Sequence, residues 1–506
     1  MRRQATAGLA LCILATGTAF ADPAKPSHLA QPTTKVEGQS AVTRLAPELA
    51  QVAVARGEMP LENPSELFVT YGYAEDHADR SPARAIVQWP TRLIEKTKTE
   101  PDKNVYLVLE GQKGADPAHA YGRRFLFQGH ESGPTRSPIG PKLGLFTRIN
   151  LDADEAHRVT LMAEKDAAGI PLPPFDGITW YPFSQRLLLT AELGAHGGVW
   201  QATLDLPSKV EDISGALGRG GYEGIQADSE GNLWIVEDAY EVFPVGGKEK
   251  RPYSYIYRFI PKDRADLAKG GRLQALQVRG AIGQPILFKS NEDTLGDEIK
   301  QLHTYGVKLP TRWVTIHDTD KHGSRPFDAN AVAREHKATP FKRPENGMFR
   351  PGTGFREFYF TATGDTNLES KANAEHGGFG GIFVVKQDSP SAEAGEITIA
   401  FRGDKDHTGF DNLTFWSADE LLVSEDAGDK LHSQRKAFDS TFILDLRVDY
   451  GAAGASVPRR IMAQGRDASA TADSSYHGRI GFQNDGDNEI TGIQVSDGDP
   501  TPVGLL

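Results

Sequence analysis

From Glu66 onward the apolar positions fall in short runs rich in β-branched and aromatic residues, and each run stops at Gly, Pro, Asp or Asn. Leu67-Phe68-Val69-Thr70-Tyr71, Val105-Tyr106-Leu107-Val108-Leu109 and Arg124-Phe125-Leu126-Phe127 are early examples. Runs of this length with frequent turn signals are strands, and many of them in succession predict an all-β sandwich, barrel or propeller.

An internal repeat chooses among these. Phe175-Asp176-Gly177-Ile178 leads to Leu187-Leu188-Leu189-Thr190-Ala191-Glu192, Tyr222-Glu223-Gly224-Ile225 to Leu233-Trp234-Ile235-Val236-Glu237-Asp238, and Phe410-Asp411-Asn412-Leu413 to Leu421-Leu422-Val423-Ser424-Glu425-Asp426. Each copy reads aromatic, acid, Gly or Asn, aliphatic, a turn, then an apolar strand ending in Glu, and a further strand follows. Weaker copies start at Pro344-Glu345-Asn346-Gly347 and Asn488-Glu489-Ile490-Thr491. Successive antiparallel strands in each repeat predict a β-propeller of about six blades. Between about 240 and 338 the repeat is lost. There Arg264–Ala268, Glu298–Leu302 and Asp328–Glu335 have helical character, the last with Asp328 as N-cap, which predicts a partly helical insertion over the active face. Residues 47–506 are thus expected to form one propeller domain.

The N-terminus sets the expected compartment. Arg2 and Arg3 precede an apolar run, and Ala19-Phe20-Ala21 offers a signal-peptidase site, so residues 1–21 are read as a signal peptide for Sec or twin-arginine export to the periplasm or medium. Residues 22–46 read as a polar, disordered linker. The only cysteine, Cys12, lies in the removed segment, so the mature chain is expected to lack disulfides, thiolate nucleophiles and cysteine-held metals. No later apolar run reaches membrane-spanning length, which predicts a soluble protein without integral membrane association. A formal charge of −12 argues against a nucleic-acid partner. In so acidic a protein an anionic substrate needs local cations, a first hint of bound metal. The sequence carries no signal for an oligomeric state.

A propeller brings equivalent blade positions together around one axis. Asp176, Glu223, Glu345, Asp411 and Glu489 are therefore expected to crowd one end of the channel, with Glu192, Glu237, Asp238, Glu425 and Asp426 ending the neighbouring strands. Carboxylates so close together in a low dielectric stay ionised only when cations neutralise them, and hard, oxygen-liganded calcium suits them. Taken singly, each of these acids could instead be a blade-turn residue that caps a strand.

These same residues carry a family resemblance. Tyr222–Ile225 through Asp238, Ala338–Glu345 with its Arg343-Pro344-Glu345, Asp411-Asn412-Leu413 with Glu425-Asp426, and Glu489–Gly492 resemble, in order, the successive motifs of PhoX-type alkaline phosphatases. Gln128-Gly129-His130-Glu131 is similar to an Asn-His-Glu segment near that family's start. The resemblance implies a propeller with an iron and calcium cluster that hydrolyses phosphate monoesters. It implies Glu223 and Glu345 as metal ligands with catalytic roles, Asp411, Glu425 and Glu489 as further ligands, and Arg343 as the catalytic grip on phosphate; Glu131 and Asn412, within the matching segments, complete the expected ligand set. A guanidinium fork beside a metal-binding Glu suits that task. Thr190-Ala191-Glu192-Leu193 departs from the family's Thr-Cys-Glu-Glu segment, so calcium is expected and thiolate-held iron is doubtful.

His130 and His196, near the expected ring, are candidates to bind the substrate phosphate, with surface or hydrogen-bonding roles as the alternative. Ile316–His322 is read as a solvated loop, and neither a Walker loop nor a nucleophile elbow occurs. The leading reading is an exported metal-dependent phosphatase acting on small phosphate esters. A non-catalytic calcium-binding propeller that holds an extracellular ligand, and a phytase- or lactonase-like hydrolase, are the alternatives.

Overall fold

The computed structural model describes residues 25–30, 42–75, 86–89, 92–95, 97–135, 141–239, 247–464 and 490–496. The expected signal peptide and Glu489 lie outside the described residues. The chain is a β-propeller. Among the described residues, successive antiparallel units start with the inner strands Pro101–Val108, Ile178–Tyr181, Tyr222–Ala227, Pro344–Phe349 and Phe410–Ser417.

The apolar runs explain the architecture. A blade strand is covered by a neighbouring sheet on each face, so alternate side chains serve different cores. Leu187 and Leu189 pack with Phe125, Phe127 and Phe146 of the preceding unit, whereas Leu188 packs with Ile225, Leu233 and Ile235 of the next. Trp234 and Val236 turn the other way, toward Phe349, Phe358 and Phe360. Leu421 and Val423 meet Tyr359, Ile382 and Val384, while Leu422 faces Ile443, Ile461 and Ala46. Strands buried on both faces read as unbroken apolar runs for this reason.

Two expectations need correction. Residues 247–338 do more than insert helices: beyond the strand expected after the Tyr222 copy, found at Ile256–Pro261, the strands Gly271–Val278 and Leu309–Asp318 widen the third unit. Leu309–Asp318 also pairs with Ala394–Arg402, fusing the third and fourth units into one sheet of nine strands. Helices do form at Asp297–Leu302 and Ala329–Glu335, and the Asp328 side chain caps the latter by accepting from Ala331 N–H, but Arg264–Ala268 yields only a short turn at Leu267–Lys269. The expected loop at Ile316–His322 is a strand end followed by the helical turn Thr319–His322, with the His317 ring stacked 3.9 Å from Phe327.

The described parts of the expected linker are docked. Leu29 N–H donates to Arg460 O at 2.8 Å, and Arg44–Leu45 pairs with Arg459–Ala463 as the outer strand of the last sheet. Fully buried Ala46, with Leu49, fills the apolar face of that sheet, which gives this polar stretch a reason to order.

Candidate metal centre

The inner strands share one local irregularity. Pairing with the second strand slips between Pro101 and Asn104, Tyr222 and Ile225, Pro344 and Gly347, and Phe410 and Leu413. Each slip is a β-bulge that leaves two residues unpaired and re-aims them. The pairs are Asp102-Lys103, Glu223-Gly224, Glu345-Asn346 and Asp411-Asn412, all buried where charged. Asp176-Gly177 sits at the matching point of the second unit, tied to Thr190 through Asp176 N–H to Thr190 O at 3.0 Å and Thr190 N–H to Gly177 O at 2.9 Å. Glycine is required here, because a Cβ on Gly177 would lie 1.9 Å from the Glu223 carbonyl oxygen of the adjacent strand.

The bulged acids converge. Asp102, Asp176 and Glu223 bring ligand atoms within 4.8 Å of one another, as do Glu223, Glu345 and Asp411, and as do Glu131, Asp176 and Glu192 at the rim. Asn412 Nδ2 donates to Asp102 Oδ1 at 3.4 Å and closes the ring between the last and first units. Asn346 Nδ2 donates to Glu223 Oε1 at 2.6 Å. Thr363, the residue after the strand Glu357–Ala362, donates its hydroxyl to Glu345 Oε1.

Charge is badly out of balance here. Burial first, and then neighbouring carboxylates, push Asp176, Glu192, Glu223, Asp411 and Glu131 well above the usual carboxylate range, and raise Glu345 to about 7. Asp176 Oδ1, Asp238 Oδ1 and Asn412 Oδ1 are buried oxygens without a hydrogen-bond partner. Orphaned acceptors on carboxylates that repel one another are what a hard cation satisfies, so the donor set fits calcium-like ions. It does not fit thiolate-held iron, since Ala191 offers only a methyl group.

Arg343 bridges the rim and the ring. Its Nε donates to Asp238 Oδ2 at 2.8 Å, its Nη2 lies 3.2 Å from Glu345 Oε1, and 19% of the side chain stays exposed. The backbone holds it at φ 49°, a left-handed conformation costly for a residue with a Cβ and kept where position matters. Half-buried Lys250 joins it, its ammonium pulled down to about 8 by burial and then by Arg343.

Strand alternation divides the remaining candidates. Asp238 and Asp426 act on the Arg343 and Glu345 group. The residues just before them face the blade interior. Glu237 Oε2 accepts from Tyr255 N–H at 3.0 Å, Tyr257 Oη at 2.8 Å and Asn330 Nδ2 at 3.0 Å, while its Oε1 has no hydrogen-bond partner. Glu425 accepts from Thr408 N–H, Ser440 N–H and Arg435 Nη1, each at 3.0 Å. Among the described residues neither joins a group of converging ligand atoms, so they are not ligands of the ring as expected. His130 is corrected for the same reason: it pairs across from Pro101, is fully buried between Thr99 Oγ1 and Thr147 Oγ1 at 2.9 Å each, and burial lowers it to about 3. It holds two strands together and cannot reach a phosphate. His196 sits exposed on the turn Gly194–His196 beyond Glu192.

Asp102, Lys103, Asn346, Thr363 and Lys250 were not foreseen as site residues. The signal for the first was present, because Pro101-Asp102-Lys103 repeats the Pro344-Glu345-Asn346 pattern. A separate group, His119, Asp154 and His157, lies on turns at the far ends of the first unit's strands. Its imidazoles stack at 3.8 Å and 11°, so their in-plane lone pairs run parallel instead of converging on one ion.

Comparison with known proteins bears on this arrangement. A family profile described as alkaline phosphatase PhoX matches residues 243–504, a little over half the chain. Among solved structures, the chain is similar to Pseudomonas fluorescens PhoX in complex with vanadate, a transition-state analogue, with TM-score 0.50 and 12% identity over 85% of this chain and 89% of that one. The periplasmic gluconolactonase of Pseudomonas aeruginosa aligns with TM-score 0.32 and 13% identity, over 81% of this chain and 96% of its own. No curated protein matches by sequence. Asp102, Glu131, Asp176, Glu192 and Glu223 all precede the matched residues.

Proposed function

The chain belongs to the PhoX family of alkaline phosphatases, and from that premise we propose that it is an exported, metal-dependent hydrolase of small phosphate esters whose chemistry takes place at the axial carboxylates. The observation that carries this reading is the pair of buried acidic groups that share Glu223, Asp102-Asp176-Glu223 and Glu223-Glu345-Asp411, with Arg343 beside Glu345.

Asp102, Asp176, Glu223, Glu345 and Asp411, with Glu131 and Glu192 at the rim and Asn412 as a neutral oxygen donor, would hold the cations. Bound divalent ions supply Lewis-acid charge and lower the pKa of a coordinated water. The chain's own residues do the rest. Asp238 and Glu345 fix the Arg343 guanidinium through Nε and Nη2, leaving its other N–H donors for two phosphate oxygens. Lys250 adds a second positive group on the same side, which draws in the anion and favours charge that grows in the transition state. Thr363 and Asn346 hold Glu345 and Glu223 in place, so the site is organised before substrate arrives. His196, on the exposed turn at the rim, is the remaining candidate to touch the substrate. No helix among the described residues is long and apolar enough to cross a membrane.

Chelator-treated protein is expected to lose hydrolysis of a chromogenic phosphomonoester and to regain it with calcium. Arg343→Ala is expected to lower kcat by about 10²–10³-fold, and Glu345→Gln to abolish recovery with calcium. Unchanged turnover in both variants would refute the assignment. A calcium-dependent rise in melting temperature without turnover of any phosphomonoester, diester, phytate or lactone would establish a binding protein instead.

A further inference from the structure

We infer that the buried ion pair of Lys342 and Asp365 is a positioning pair for the cations that grip the substrate phosphate, setting Arg343 through the residue beside it and Lys250 through its backbone N–H. The inference deepens the phosphatase reading above and rests on it.

Lys342 precedes Arg343 in the chain, and its ammonium is buried against the Asp365 carboxylate. The two side chains are 1% and 0% exposed, with Nζ 3.1 Å from Oδ1 and 3.3 Å from Oδ2. Asp365 Oδ1 also accepts the Lys250 backbone N–H at 2.8 Å, and its Oδ2 accepts the Ser370 hydroxyl at 2.5 Å. One carboxylate thus ties down both the neighbour of Arg343 and the main chain of Lys250.

The loop that carries Asp365 is itself fixed to the site. It follows Thr363, which donates its hydroxyl to Glu345 and its N–H to the Arg343 carbonyl at 2.8 Å. Asp365 N–H donates to Gly378 O at 2.7 Å. Farther along, Lys371 N–H donates to Glu249 Oε1 at 2.9 Å, and Lys250 Nζ lies 3.4 Å from Thr366 Oγ1. The segment that bears Lys250 is therefore held against this loop at three points.

Stability does not account for such a pair. Two charges taken out of water regain in attraction about what their burial costs, and apolar side chains of similar volume serve a fold as well. What the pair supplies is geometry. Arg343 keeps its left-handed backbone only while its surroundings over-determine it, and here Lys342 is anchored on one side while Thr363 holds the Arg343 carbonyl on the other. A gripping group displaced by an ångström loses most of its effect.

The test is calorimetric titration of inorganic phosphate into the full-length, calcium-loaded protein, beside Lys342→Met/Asp365→Leu, which removes both charges and leaves neither unpaired. The variant is expected to keep the melting temperature and calcium affinity of the unaltered protein but to bind phosphate at least about tenfold more weakly. Equal phosphate affinity in the two proteins, or a loss of calcium affinity as large as the loss for phosphate, would overturn the inference and leave the phosphatase reading intact. Absence of both phosphate binding and phosphomonoester turnover in the unaltered calcium-loaded protein would refute that reading, and the inference with it. Should the double variant not fold, Asp365→Asn, which keeps an acceptor for Lys250 N–H but loses the charge that holds Lys342, decides on the same titration. If neither folds, the pair serves the fold alone and the inference fails.

Discussion

Two kinds of buried acid belong to the blade strands: Glu237 and Glu425 take donors inside the blades, whereas the axial acids crowd one another. Glu237 and Glu425 face the blade interior: three donors meet the two oxygens of Glu425, and three meet Oε2 of Glu237, whose Oε1 has no hydrogen-bond partner. The axial acids Asp176, Glu223, Glu345 and Asp411 face one another, with burial and mutual repulsion holding their protons on. Burial is shared by both classes, so burial alone says nothing of function. The difference lies in whether the fold supplies the partner or leaves it to come from solution.

The largest effect that separates the classes is expected at Glu425. Glu425→Ala leaves Arg435 buried beside Asp439 without its main partner, and a broken buried pair costs about 3–5 kcal/mol. Denaturant unfolding should show that loss, while the rise in melting temperature on adding calcium should be retained. Asp176→Asn should do the reverse: the chelator-treated protein is expected to melt higher than the unaltered one, because a repelling acid has gone, and calcium affinity is expected to fall by at least tenfold in a titration. A lower melting temperature with unchanged affinity would erase the distinction.

A smaller effect is expected from pH. Glu345 and Glu237 are raised from 4.5 to about 7 in the folded chain, so between these values the folded state holds more protons than the unfolded. Their stabilisation is full below pH 4.5 and lost as pH rises through about 7. In chelator the melting temperature should fall from pH 5 to 8. With calcium present the fall should shrink, since ions take over from the protons on the axial acids. Equal slopes with and without calcium would place the titrating groups away from the axis.

Much of this arrangement was legible in the residues. The frames at Phe175, Tyr222 and Phe410 stood out because strands covered on both faces leave unbroken apolar runs, and the acids Glu223 and Asp411 proved to be bulge residues, with Asp176 at the matching point just before its strand. Glu237, Glu425 and His130 were misplaced because neighbouring residues on a strand face opposite ways, and the frames alone did not say which member of each pair looks inward. Asp102-Lys103 escaped notice because Pro101 replaces the aromatic and polar Asn104 replaces the aliphatic of the frame. The strand Gly271–Val278 was hidden by its glutamines. Gln274 and Gln277 are buried on it and bonded to Glu393 and to the Lys337 carbonyl, a polar pattern that no strand template anticipates. Lys250 lies in a stretch without repeat, so only its place beside Arg343 reveals it.

Calcium titration of chelator-stripped protein, repeated by calorimetry at pH 7 in buffers of different ionisation enthalpy, tests most directly whether the axial acids await cations. The account predicts saturable binding with net release of protons from the raised carboxylates, and release that drops in Asp176→Asn. Absence of saturable binding, or binding without proton release, would contradict it.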